Sequence, residues 1–251
     1  MGHWATPDQV WAVALVFARL GAVVMLLPGI GETSVSMRVR LSFALLLSLA
    51  MTPIVQTTLP ALPDSVGAMG GWVIREVLIG VMLGALLRVM MGALNVAGEI
   101  VSIQTSLSFA QTANPEAPSE MTLASFLTVT GLTLVFATNL HHLFIGAIAN
   151  SYQLFAPHKR LLLGDAGQLA IKLTSESFMV GVQLAAPVMV FSLVFNAATG
   201  LVGRVMPQFQ VFFAATPLNV IMGLSVFALS LGALGLVWVS RFRDVVALFL
   251  R

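Results

Sequence analysis

From Met121 to Pro157 the chain carries no Asp, Glu, Lys or Arg. As one straight helix rising about 1.5 Å per residue, that run would extend about 55 Å, nearly twice the roughly 30 Å of a bilayer's hydrocarbon layer. It must therefore bend, break or leave the bilayer. Composition shows that the run is no exception: 58% of the residues are apolar and 9% are charged, against roughly 25% charged in an ordinary soluble domain. So few charges cannot cover a water-facing surface, and a mean hydropathy of +0.97 puts much of the chain against lipid or apolar protein. The expectation is an all-α, polytopic, integral membrane protein.

The same composition excludes several kinds of function. With no cysteine, disulfides, thiolate metal sites and cysteine nucleophiles are ruled out. The chain has 12 Lys and Arg against 10 Asp and Glu, with no basic run longer than Lys159-Arg160, so nucleic acid is not expected as a partner. No Lys or Arg precedes the first apolar run and no small-residue cleavage pattern follows it, so a removable signal peptide is not expected.

Hydropathy gives about six helices, several of them too long or broken. Val10 to Leu27 is apolar except for Arg19, and Leu41 to Val55 forms a second run before a connector with Pro60, Pro63 and Asp64. Gly70 to Ala97 is the third. Pro187 interrupts the run from Phe178 to Phe195, and Pro207 and Pro217 fall in the uncharged run from Val205 to Ser240. These prolines are expected to break helices, because each removes a backbone donor and disfavours helix in the preceding residue.

Loop charges do not orient such a serpentine consistently. Arg38 and Arg40 place the first loop in the cytoplasm. Three more crossings then leave Lys159-Arg160, and later Arg241, Arg243 and Arg251, on the wrong side. Either one apolar segment is a re-entrant hairpin, or the helices sit in a protein assembly.

The third run holds Arg75, Glu76 and Arg88, with Glu99 just beyond it. A charge at a bilayer centre costs roughly 2.5 to 3.5 kcal/mol, so these side chains should face protein or water. They read as a polar path or intersubunit contacts, or as charges satisfied by a neighbouring helix or snorkelling to the surface. Arg88 and Glu99 share a helix face but lie about 16 Å apart along it. Lys172 and Glu176, four residues apart, read as a solvated helical pair. Gly80 and Gly84 read as a small-residue face for close helix packing. His141-His142 has no HExxH pattern or nearby carboxylate, and no phosphate loop or nucleophile elbow occurs, so neither an enzyme nor a cofactor is expected.

Gly98-Glu99-Ile100-Val101-Ser102-Ile103-Gln104-Thr105-Ser106-Leu107-Ser108-Phe109-Ala110-Gln111-Thr112-Ala113-Asn114-Pro115 continues polar and small straight out of an apolar helix. It is the longest loop candidate, and irregular backbone there needs water or protein beside it. With its Gly-Glu-Ile start, its Leu-Ser-Phe-Ala core and its Asn-Pro end, the segment resembles the FliR family of the flagellar type III export gate. Leu26-Leu27-Pro28, Val39-Arg40-Leu41, Glu76-Val77-Leu78-Ile79-Gly80, Asn139-Leu140-His141-His142, Pro207-Gln208-Phe209-Gln210-Val211 and Pro217-Leu218 follow in the family's order. The resemblance covers nearly the whole chain, and injectisome relatives share the plan.

The resemblance implies a gate subunit and not an enzyme. Its helices would pack as hairpins in a helical hetero-oligomer with FliP and FliQ type subunits and an FlhB-type switch protein, passing unfolded flagellar substrates. It implies a place in the bacterial inner membrane at the flagellar basal body. Residues 1–165, with a loop over 98–120, would be FliP-like, and 166–251 a FliQ-like hairpin. A plug loop falls by motif on Phe109, Ala110, Gln111, Thr112, Ala113, Asn114 and Pro115. Two rivals follow from the residues alone: a secondary transporter built on Pro-broken helices and intramembrane charges, and a membrane hydrolase using His141 or His142.

Overall fold

The structure is a computed structural model that describes residues 6–32, 34–108, 123–156, 163–206 and 211–250. The described residues form seven α-helices and one turn of 3-10 helix, with no strand. They are α1 (Pro7–Leu26), α2 (Met37–Val55, extended by the 3-10 turn Gln56–Thr58), α3 (Val66–Gln104), α4 (Leu123–Ala137), α5 (Leu140–Leu154), α6 (Leu163–Val205) and α7 (Val211–Ala247). Five are long and apolar enough to cross a membrane, or six if α4 and α5 together make one more span. The all-α polytopic reading thus stands.

The local chemistry accounts for where helices start and stop. The side chain of Thr6 accepts from the Gln9 backbone N–H while the Gln9 side chain accepts from that of Thr6, a reciprocal cap with Pro7 at the first helical position that satisfies donors with no intrahelical partner. Ser36 caps α2 by accepting from the N–H of Val39. The charge-free run breaks at Thr138-Asn139, where Asn139 sits at φ 58°. Among residues with a Cβ, Asn is one of the few that adopt this left-handed conformation readily.

Three expectations need correction. Residues 98–104, read as the start of a loop, continue α3. Gly98 lies directly against the Ala124 backbone, and just past the helix the Thr105 hydroxyl donates back to the Val101 carbonyl at 2.9 Å. Pro187 lies inside α6 and Pro217 inside α7, and neither ends its helix. Each costs one backbone hydrogen bond, but away from water ending the helix would strand several, so the helix continues. Pro207 lies outside the described residues.

The chain forms two compact units that interleave along the sequence. The first comprises 1–90, 139–174 and 243–251, and the second 91–138 and 175–242. In the first, Leu15, Val16, Leu20 and Val23 of α1 are buried with Ile79 of α3 and Leu140 and Tyr152 of α5. The second buries Leu94, Ala97 and Val101 of α3, Leu184 and Val188 of α6, and Trp238 of α7. Large apolar side chains remain uncovered on α2 (Leu46, Ile54) and α7 (Phe213, Ile221, Leu229, Leu236).

Candidate functional site

Arg19 is the one charge in α1 between Val10 and Leu27, and it is fully buried. Such a charge persists only if its hydrogen-bonding groups are met inside the protein. Its guanidinium donates through Nε to Glu76 Oε2 at 2.6 Å and through Nη2 to Glu76 Oε1 at 3.1 Å, a two-pronged pair with both side chains sealed from solvent. Nη1 donates to Ser151 Oγ at 3.0 Å, and Nη2 also reaches the Phe155 carbonyl at 3.4 Å. Four of the five guanidinium N–H groups are thus used. The Tyr152 ring covers the guanidinium face 3.8 Å away, the stacked geometry that favours a poorly hydrated cation.

The neighbouring Arg75, half-buried, donates to the Ala156 carbonyl at 3.0 Å. Its guanidinium lies 5.3 Å from the Trp72 ring. Phe155 and Ala156 follow the end of α5, where carbonyls lack partners within the helix and the helix dipole favours positive charge. Two arginines from different helices therefore hold the end of α5, and Glu76 neutralises the buried one. Ser151 closes the set by donating to the Ile148 carbonyl at 2.6 Å.

Gly80 and Gly84 bring the same helices together. A Cβ at Gly80 would run into the Arg19 carbonyl oxygen, and one at Gly84 would meet the Leu26 Cβ at 2.7 Å. The cluster joins α1, α3 and α5 of the first unit, and Glu76, being sealed, is not open to a watery path. Its partner is Arg19 of its own chain.

The other residues singled out by sequence are placed apart from this cluster. Arg88 and Glu99 are exposed on α3, Lys172 is exposed on α6, and Glu176, four residues on, is half-buried. His142 is exposed and His141 half-buried, with ring centres 4.2 Å apart. No group of three His, Asp or Glu among the described residues is arranged to hold a metal ion. Phe109 to Pro115 lies outside the described residues. Arg19 went unnoticed as a site residue, although one charge in an otherwise apolar span signals that a partner must exist.

The profile of the bacterial export proteins, family 1, matches residues 10–245, nearly the whole chain and both halves of the buried ion pair. The chain belongs to this family. As a family 1 export protein it is 54% identical over 250 residues to the flagellar biosynthetic protein FliR of Caulobacter vibrioides, covering 99% of this chain and 100% of that one. It is 30% identical to the FliR of Escherichia coli, over 84% of this chain and 80% of that one. To the FliR of Aquifex aeolicus it is 27% identical, over 94% and 91%. Membership agrees with the FliR resemblance read from the motifs, and it makes the chain an export-family membrane protein of flagellar biosynthesis.

Proposed function

We propose that the chain is a core subunit of the flagellar type III export gate and forms part of the channel through which unfolded flagellar proteins leave the cytoplasm. The observation that carries this reading is the 54% identity, from end to end, with a flagellar biosynthetic FliR. It works as a conduit, not as an enzyme, in the inner membrane at the basal body. FliP- and FliQ-type subunits and an FlhB-type switch protein cover its exposed apolar faces, since surfaces like those of α2 and α7 call for lipid or protein against them. The FliP-like part is 1–165 and the FliQ-like part 166–251. This division concerns resemblance along the chain, whereas the two compact units concern packing, so the two need not coincide.

Phe109 to Pro115 serves as the plug in this proposal. A pore that passes extended chain must still block ions, and a short loop of small residues with one aromatic fills such a space while costing little to displace. Gln111-Thr112-Ala113 makes it more polar than an apolar seal.

Purifying the tagged chain from its own cell in mild detergent, with native mass spectrometry of what co-migrates, tests the assembly. Several copies of two other small membrane proteins are expected, whereas a lone chain that transports a solute in vesicles would overturn the proposal. Deleting residues 107–114 is expected to leave the complex intact and raise its leakage of small ions. Unchanged leakage from an assembled complex would remove the plug assignment.

A further inference from the structure

The second unit contains a cavity of about 370 Å³ between α3, α4, α6 and α7. Leu94 of α3, Leu127 of α4, Leu184 of α6 and Phe227 of α7 are among the side chains that wall it, and no charged residue is. The two hydroxyls in the wall are already engaged along α4. Thr130 donates to the Phe126 carbonyl at 2.8 Å and Thr138 to the Leu134 carbonyl at 2.7 Å. A buried water needs roughly two to four polar partners, which a wall built almost wholly of carbon does not supply. The cavity therefore suits hydrocarbon.

Its size and its mouth narrow the occupant further. Removing one leucine side chain from a protein core leaves a dry cavity of about 150 Å³, so a single side chain reaching in from a neighbouring protein would fill less than half of this one. Three glycines of the wall show where a longer chain can enter. A Cβ at Gly131 would run into Leu94 Cδ1, and one at Gly235 would lie 3.3 Å from Leu134 Cδ1, so leucines of neighbouring helices take up the space beside both. Gly232 differs: it is exposed, and a Cβ there would meet nothing within 4 Å. It shares a face of α7 with Leu229 and Leu236, 88% and 75% exposed, because residues three and four apart are neighbours on a helix. The mouth thus opens on the apolar outer face of a helix long and apolar enough to cross a membrane, where the surrounding medium is acyl chains.

We propose that this cavity takes up the end of one acyl chain of a membrane phospholipid, which enters beside Gly232 and lies between α4 and α7. The chain is recognised by shape and by dispersion contacts with the leucines and Phe227, and the headgroup stays outside. Such a lipid belongs to the packing of the second unit and differs from the lipid that merely surrounds it.

The test uses the full chain, in the complex with which it is purified, in vesicles containing a phosphatidylglycerol with a photoactivatable diazirine near the end of one acyl chain. After illumination, mass spectrometry of peptides maps the labelled residues. Leu127 and Phe227, both buried, are expected to label together with Ile221, which is exposed on α7. Labelling of Ile221 without the two wall residues would overturn the proposal, since lipid would then reach the outer face only. Gly232→Leu places a side chain in the mouth. One methylene more in an apolar pocket already changes binding by roughly 10- to 200-fold, so labelling of Leu127 and Phe227 is expected to fall at least about tenfold while that of Ile221 holds. Wall labelling as strong as in the wild type would also overturn the proposal. Leucine is a better helix former than glycine and meets no crowding at this position, so the helix is not weakened. If the variant is nevertheless not recovered, the wild-type pattern decides alone.

Discussion

Replacing Glu76 with leucine is expected to lower the amount of folded chain in the membrane fraction several-fold. The substitution leaves the Arg19 guanidinium, sealed from solvent with its main partner gone, as an uncompensated buried charge, and breaking such a pair costs about 3 to 5 kcal/mol. Against an ordinary margin of about 5 to 15 kcal/mol, that cost removes a large share of the stability, and losses smaller than this already change cellular abundance several-fold. The double variant Arg19→Met with Glu76→Leu removes both charges and fills similar volume, and it is expected to recover much of the loss. Quantifying the chain in membrane extracts and its thermal midpoint in detergent separates the outcomes. A single variant as stable as the wild type would mean that the pair does not anchor the three helices. A double variant no better than the single one would mean that the hydrogen bonds to Ser151 and Phe155 matter more than the buried charge.

The second large effect comes from one added methyl group. Gly80→Ala places a Cβ against the Arg19 carbonyl and the Ala22 Cβ, backbone and a side chain with no freedom to swing away. Overpacking of this kind costs about 1 to 3 kcal/mol, and it also pushes Arg19 away from Glu76. Gly70 and Gly71 lie on the same helix with open space around each, so Gly70→Ala and Gly71→Ala are expected to stabilise α3 by up to about 1 kcal/mol each. Thermal midpoints of the variants, measured in one detergent, check the contrast. Equal shifts for Gly70→Ala and Gly80→Ala would mean that helix propensity alone acts, and that α1 does not press on α3.

The helices were largely legible because apolar runs of this length leave the backbone few alternatives, and the overlong run from Met121 announced its own break. The place of that break was hidden, since a single Asn adopting φ 58° leaves little trace in composition. Residues 98–104 misled for a physical reason: Gly and Ser read as loop formers, yet a glycine pressed on another backbone serves a buried helix equally well, and the Thr105 hydroxyl just beyond bonds back to that helix. Pro187 and Pro217 misled in the same direction.

The candidate site was half legible. Glu76 and Arg75 stood out by their charge, but the partner of Glu76 lies 57 positions away, and only the helix packing brings Arg19 to it. Ser192 and Asn219 passed unnoticed as isolated polar residues in apolar runs. They meet at the Gln104 carbonyl at the end of another helix, and no spacing rule links the three.

The interleaving of the units bears on how the protein is made. The first unit includes both residues 1–90 and residues 243–251, where Asn150 donates to the Phe249 carbonyl at 2.9 Å and Val246 and Phe249 are buried. Residues 1–90 therefore complete their packing only once residues 243–251 have followed them out of the ribosome, while the second unit needs nothing beyond residue 242. A chain cut at residue 242 would keep its apolar helices nearly whole but would lack residues 243–251, the segment that closes the first unit, while the second unit would be complete.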